Sequence, residues 1–327
     1  MAASLYTQAR SLYEQRQYAE LDALLSPQRE QLAEASPYLT FWLADAWRRL
    51  GKQPAALELV REMATVARRS GIPRLELDRL NLEGMLHFET GDTVAAEASW
   101  RDLLAHADAD RNDDFTARAN NNLGIIYTLQ ARTAEAVMSY QRALTAYRML
   151  GARRGLAQSH QNLGITYREL DEFDDADNHF VQASRFARES DSEDELGRAE
   201  YERALLIYLS RRDARMARVT AQRARNRFTS LNDPVGVSDA TRVLAMIELG
   251  EDNLAEARAS AYDALAEARR VGHALLEGEL LFVLAAAARK ADDAERADAI
   301  ETEARFAFEK ARAPAWGERF RVMTARL

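Results

Sequence analysis

The heptapeptide N-N-L-G-I-I-Y at residues 121–127 returns as Q-N-L-G-I-T-Y at residues 161–167, forty positions later. Working outward from Gly124 and Gly164, the same step finds Gly84 and Ala44 before them and Leu205, Ala245 and Ala285 after them. One interval, from Gly164 to Leu205, is a single position longer, and Leu205 is the one member that is not small. A second column follows, each member twelve positions after its partner in the first: Ala56, Ala96, Ala136, Ala176, Ala217, Ala257 and Ala297. A repeat of this length implies a stacked array, in which each unit buries its apolar face only against its neighbours.

Within a unit the apolar residues have helical spacing. Leu123, Gly124 and Tyr127 share one face, and Ala136, Tyr140, Ala143 and Leu144 share a face of the next helix. Leu163, Gly164, Tyr167, Phe173, Ala176, Phe180 and Ala183 repeat the scheme. Two helices per unit follow, and the small columns predict close approach of antiparallel helices at Gly124 and Ala136, with Tyr127 and Tyr140 filling the space beside them. Breaker-rich segments such as Ser70–Pro73, Asp108–Asp114 and Asn232–Gly236 recur near the same period, as turns between repeats. The expected division is an irregular repeat at 1–36, seven repeats at 37–312 and a closing helix at 313–327 that starts at Pro314. The whole is expected to form one continuous domain.

The composition narrows the class. The 327 residues are 47% hydrophobic and 29% charged, with a net charge of −8, which opposes general affinity for phosphate backbones. Only Lys52, Lys290 and Lys310 are lysines among the 44 basic residues. With no cysteine, disulfides, thiolate metal sites and cysteine nucleophiles are excluded. The N-terminus MAASLYTQAR has no signal-peptide pattern, and the longest apolar run, Leu280–Ala288, is too short to span a membrane. A cytoplasmic protein is the expectation.

At N-N-L-G-I-I-Y and Q-N-L-G-I-T-Y, with the alanines twelve and nineteen positions beyond each glycine and the aromatics Tyr140 and Phe180, the chain resembles the tetratricopeptide repeat. The 40-residue period is similar to the subgroup found in cell-polarity adaptors, kinesin light chains and sensor modules of bacterial regulators. The resemblance covers about residues 37–312. It implies an all-α fold, a right-handed α-solenoid of about eight antiparallel helix-turn-helix repeats, whose first helices line a concave groove that holds partner peptides.

On that groove face helical spacing places Asn81 in one unit, Arg118, Asn121 and Asn122 in the next, and Gln158, Gln161, Asn162 and Arg168 after them. Carboxamides carry both a donor and an acceptor, which suits an extended peptide backbone. The resemblance implies that Asn122 and Asn162, two residues before the glycine, contact the ligand backbone; a solvated polar helix face is the other reading. Arg118 and Arg168 could pair with a partner's carboxylates or with those of neighbouring repeats. Inner columns also carry Asp45, Asp78, Glu202, Asp239 and Arg242. Tyr38, Phe41 and Trp42 are expected to be covered by the irregular first unit, or else to form an aromatic anchor.

Seven arginines between Arg211 and Arg227 could hold an acidic surface such as RNA, but a solvated outer wall balanced by Glu189–Glu195 is preferred. The five histidines are scattered without metal-ligand spacing, and no phosphate loop or nucleophile elbow occurs. No cofactor, metal or catalytic role is expected. The sequence thus points to a non-catalytic scaffold or adaptor that captures a peptide or helical segment of another protein. The alternatives are a peptide-responsive regulatory sensor and a homo-oligomeric scaffold joined through the alanine-rich units at 245–312.

Overall fold

The computed structural model describes residues 2–211 and 213–327. It is all helical among those residues and divides into two compact units, Met1–Ala119 and Asn120–Leu327. The first unit opens with α1 (Ala2–Glu14), α2 (Tyr18–Leu25), a 3₁₀ turn (Ser26–Gln28) and α3 (Arg29–Ala35). Two hairpins follow, α4 (Pro37–Arg49) with α5 (Gln53–Ser70), and α6 (Pro73–Glu89) with α7 (Thr93–Ala109). The boundary between the units falls within α8 (Asp113–Leu129).

The second unit continues with α9 (Thr133–Leu150), α10 (Arg153–Glu169), α11 (Phe173–Glu189), α12 (Glu193–Arg211) and α13 (Ala214–Ser230). It ends with α14 (Pro234–Gly250), α15 (Leu254–Val271), α16 (Ala274–Lys290), α17 (Ala294–Lys310) and α18 (Pro314–Ala325). From α9 to α18 each helix packs on the next, and the first helices also pack on one another, α10 on α12, α12 on α14, α14 on α16 and α16 on α18. That is the architecture of a helical-repeat solenoid. Among the described residues no helix is long and apolar enough to cross a membrane.

The turns show how the period is written into the backbone. Gly51, Gly71, Gly91, Arg111, Ala131, Gly151, Asp171 and Asp191 all have positive φ, at every twentieth position. Asn232, Asp252, Gly272, Asp292 and Arg312 resume the series after a one-residue shift, which is the longer interval of the sequence. A left-handed residue just past a helix ends it and turns its last carbonyls onto the amides that follow. Asp92, Asp213, Asp233 and Asp293, each at the start of the helix that follows a turn, accept a backbone N–H and cap it.

The glycine column is explained by the aromatic side chains beside it. A Cβ on Gly124 would lie 2.5 Å from the Tyr140 ring, and one on Gly164 would lie 2.6 Å from the Phe180 ring. Gly84 stands in the same way against the Trp100 ring. The glycine makes room for an aromatic side chain sixteen positions later. Where the glycine is lost the ring is lost too: Ala44 pairs with Val60, Leu205 with Ala221 and Ala245 with Ala261. In the first unit the Trp42 ring lies 5.7 Å from Tyr13, stacked, and 5.1 Å from Tyr6, so the opening helices cover the aromatic cluster.

Candidate functional site

In the second unit the first helices turn their inner faces toward one cavity of about 200 Å³. Its wall takes Thr128 from α8, Asn162 and Ile165 from α10, Glu202 from α12, Arg242 from α14, Glu279 from α16 and Trp316 from α18. These positions recur every repeat because the second helix occupies the opposite face of each first helix.

The inner wall is built of buried ion pairs. Arg168 pairs with Glu202 and also lies 3.3 Å from Glu169. Arg242 Nε lies 3.0 Å from Glu279 Oε2, and the Trp316 indole N–H donates to Glu279 Oε1 at 2.7 Å. Both the Arg168–Glu202 and Arg242–Glu279 pairs are more than nine-tenths buried. Burial raises the Glu279 carboxyl above its usual range, more than Arg242 and Trp316 lower it. Burial likewise raises Asp239, against the pull of Arg242 and Arg198. Such pairs fix geometry more than they add stability, because two desolvated charges only roughly offset their own cost.

The helix α18 lies along this wall. Gly317 sits against Phe308 of α17 as Gly236 sits against Phe228, so α18 takes the place of a further first helix. Its far side then reaches α8 and the turn after α10. Arg319 Nη2 donates to the Thr128 carbonyl at 2.5 Å, and Arg326 Nη1 lies 3.5 Å from Asp171 Oδ2. The Arg242 guanidinium lies 5.4 Å from the Phe320 ring centroid, and Lys290 donates to the Leu327 carbonyl at 3.2 Å. Trp316, Arg319 and Phe320 were not singled out by sequence reasoning as functional residues. Their one signal was the closing helix itself.

The candidate residues named from sequence separate into several environments. Asn121 is buried, and its Oδ1 accepts from the Ser159 hydroxyl at 2.9 Å and from Asn162 Nδ2 at 3.3 Å, stitching α8 to α10. Gln161 is also buried, and Gln158 Nε2 donates to Glu195 at 2.5 Å. Arg168 is committed to Glu202 and Glu169. Asn122 and Asn162 stay half-buried, and Asn162 borders the central cavity. In the first unit Asn81 is half-buried, while Arg118 pairs with Asp114 at 3.0 Å on a partly exposed surface. Nearby, burial lifts the Asp78 carboxyl to about 6, against Arg74 and Arg118.

His160 of α10 and His179 of α11 face each other with their Nδ1 atoms 2.9 Å apart, between the rings of Phe186 and Tyr167. One Nδ1–H donates and the other nitrogen accepts, so the acceptor ring is unprotonated there and the pair can hold at most one positive charge. Burial, then His179 and Arg148, hold His160 down at about 4. Burial also lowers His179, with Asp175 opposing. Unfolded histidines titrate near 6.5, so the unfolded chain takes up protons first and stability is lost as pH falls from about 6.5 toward 4. Keeping His160 neutral across that interval corresponds to about 3 kcal/mol. The variant His160→Phe should therefore lose much less stability than the parent between pH 6.5 and 4 in urea titrations; parallel curves would remove this role from the pair.

The arginine segment meets carboxylates. Arg211 lies 3.4 Å from Asp177, Arg218 2.8 Å from Glu248, Arg223 2.8 Å from Glu200 and Arg227 3.0 Å from Glu200. Arg212, part of the same sequence run, lies outside the described residues. Among the described residues no group of three or more His, Asp or Glu side chains is placed to hold a metal ion.

A tetratricopeptide-repeat profile matches residues 76–149 and again 115–189. No curated protein matches the chain by sequence. Among solved structures, a Rap protein complexed with competence and sporulation factor is 14% identical with a TM-score of 0.66, over 99% of this chain and 98% of that one. The apo form of the quorum sensor NprR from B. thuringiensis is 12% identical with a TM-score of 0.71, over 94% of this chain and 87% of that one. A Rap conjugation gene regulator of the plasmid pLS20, in complex with the Phr* peptide, is 12% identical with a TM-score of 0.69, over 85% and 76%. At these identities the likeness is one of fold. The 40-residue step, the glycine–aromatic pairs and the matched profile agree: residues 76–189 are tetratricopeptide repeats.

Proposed function

We propose that the chain is a non-catalytic interaction scaffold of the cytoplasm that holds a peptide or helical segment of a partner protein against the inner face of its repeats. This reading takes residues 37–312 as one array, opened by the irregular repeat at 1–36 and closed by the helix at 313–327. The observation that carries it is the convergence of inner side chains from successive first helices on one cavity, with Asn122 and Asn162 half-buried one repeat apart on that face. Two similar folds were solved with a competence and sporulation factor and with the Phr* peptide, which supports a peptide as occupant. Catalysis is disfavoured because the inner carboxylates Glu202 and Glu279 are already held by Arg168 and Arg242.

The paired amides supply the test. Asn122→Ala with Asn162→Ala should weaken capture of a partner, first identified by affinity purification and mass spectrometry, by tenfold or more. Loss of the Asn162–Asn121 bond should cost only about 1 kcal/mol of stability. Undiminished capture by the folded double variant would end the role of these two residues. A peptide-responsive sensor is the second reading, favoured by the contacts of α18 with α8 and with the turn after α10, across the inner face.

A further inference from the structure

The contact of α18 with the far wall differs in kind from its contact with its own neighbours. At its near side Gly317 and Trp316 are buried against Phe308 and Glu279, and the Gly317–Phe308 contact repeats that of Gly236 with Phe228. At its far side the contacts include two polar ones. Arg319 donates to the Thr128 carbonyl at the C-terminal end of α8, and Arg326 meets Asp171 in the turn after α10.

Two further observations mark this far contact as loose. Cavities flank α18, one of about 200 Å³ under Trp316 and one of about 270 Å³ between Arg319, Val322, Arg168 and Leu209. Both are partly open to solvent, so α18 is not packed flush along this side. The Arg319 guanidinium is also poorly accommodated. Its Nε is buried with no hydrogen-bond partner, and it shares its surroundings with the guanidinium of Arg168. A buried donor without a partner costs free energy that release into water would recover.

We infer that α18 is a latch: in the closed state it bars the inner face of residues 120–327, and partner binding requires the Arg319–Thr128 and Arg326–Asp171 contacts to open. The latch acts on the groove proposed above and therefore rests on that reading. Opening leaves the near junction at Gly317 intact or releases the whole helix. In both cases the inner residues of α10, half-buried in the closed state, become more accessible.

The absence of cysteine makes the test direct. Ile165, on the wall of the central cavity, is replaced in the full chain (Ile165→Cys), and the rate of thiol alkylation by a small maleimide is measured. With the latch intact labelling should be slower than that of a fully exposed cysteine, since Ile165 is only partly exposed. Adding Arg319→Ala and Arg326→Ala should speed it at least tenfold while the far-UV circular dichroism stays unchanged. As a second route, a protease site inserted between Arg312 and Ala313 is cleaved in the folded Ile165→Cys chain. Labelling should then accelerate after dialysis, and a synthetic peptide of residues 313–327 should restore protection. Labelling rates within twofold of the parent in both forms would overturn the latch, and so would loss of cooperative folding on cleavage, since α18 would then be core. Either result, found together with partner capture that needs Asn122 and Asn162, would leave the scaffold reading standing and remove only its regulation by α18.

Discussion

Replacing Glu279 by alanine is expected to destabilise residues 120–327 by about 3 kcal/mol, the lower end of the range for breaking a buried ion pair. Glu279 faces Arg242 Nε at 3.0 Å and accepts from the Trp316 indole at 2.7 Å, so its loss leaves a buried guanidinium and a buried N–H without their shared partner. The effect stays at the lower end because Asp239 and Glu202 also act on Arg242. Replacing both partners, Arg242→Met with Glu279→Met, should recover most of the loss, since the pair's own attraction roughly offsets its desolvation. Urea denaturation of the three chains decides the matter. A Glu279→Ala chain within about 0.5 kcal/mol of the parent, as a surface substitution would be, would show that this pair is not a desolvated one.

Gly124→Leu is expected to have an effect of similar size, about 3 kcal/mol, by overpacking. Even a Cβ at this position would sit 2.5 Å from a Tyr140 ring that is only 1% exposed. The chain itself indicates the cure. Leu205 occupies the glycine position of a later repeat, and there Ala221 stands where the ring would be. The double variant Gly124→Leu with Tyr140→Ala should therefore be more stable than the sum of its single changes by at least about 1 kcal/mol. Simple additivity in a double-mutant cycle would separate the two positions and refute the size-exchange account of the column.

Much of the inner face was legible before any coordinates, and the failures are informative. Helical spacing placed Asn121 and Asn122 together on the groove side, yet the structure buries Asn121 between α8 and α10 and leaves Asn122 half-buried. One residue is about 100° of helix rotation, enough to move an amide from a groove to a helix–helix seam. Arg168 was assigned to a ligand or a neighbouring carboxylate without a choice between them. The choice belongs to Glu202, which lies in the next repeat and reaches it only after two helices have stacked. The glycine column was read as a packing feature with Tyr140 beside Gly124, and the structure puts the ring directly against the glycine. Its partner is the ring of the following helix, a pairing the sequence carried at Gly84/Trp100, Gly124/Tyr140 and Gly164/Phe180.

By itself the sequence determined the all-α repeat, its period, its turns and many of the positions that face inward. Each of these is a local property, set within one hairpin by helical spacing, left-handed turn residues and complementary side-chain sizes. The tertiary structure alone decided what the inner face meets. That Arg319 reaches Thr128, 191 residues earlier in the chain, depends on rotations between repeats that are each small and accumulate over successive hairpins. No single repeat encodes that sum, so a helix starting at Pro314 was visible in the sequence and the surface it meets was not.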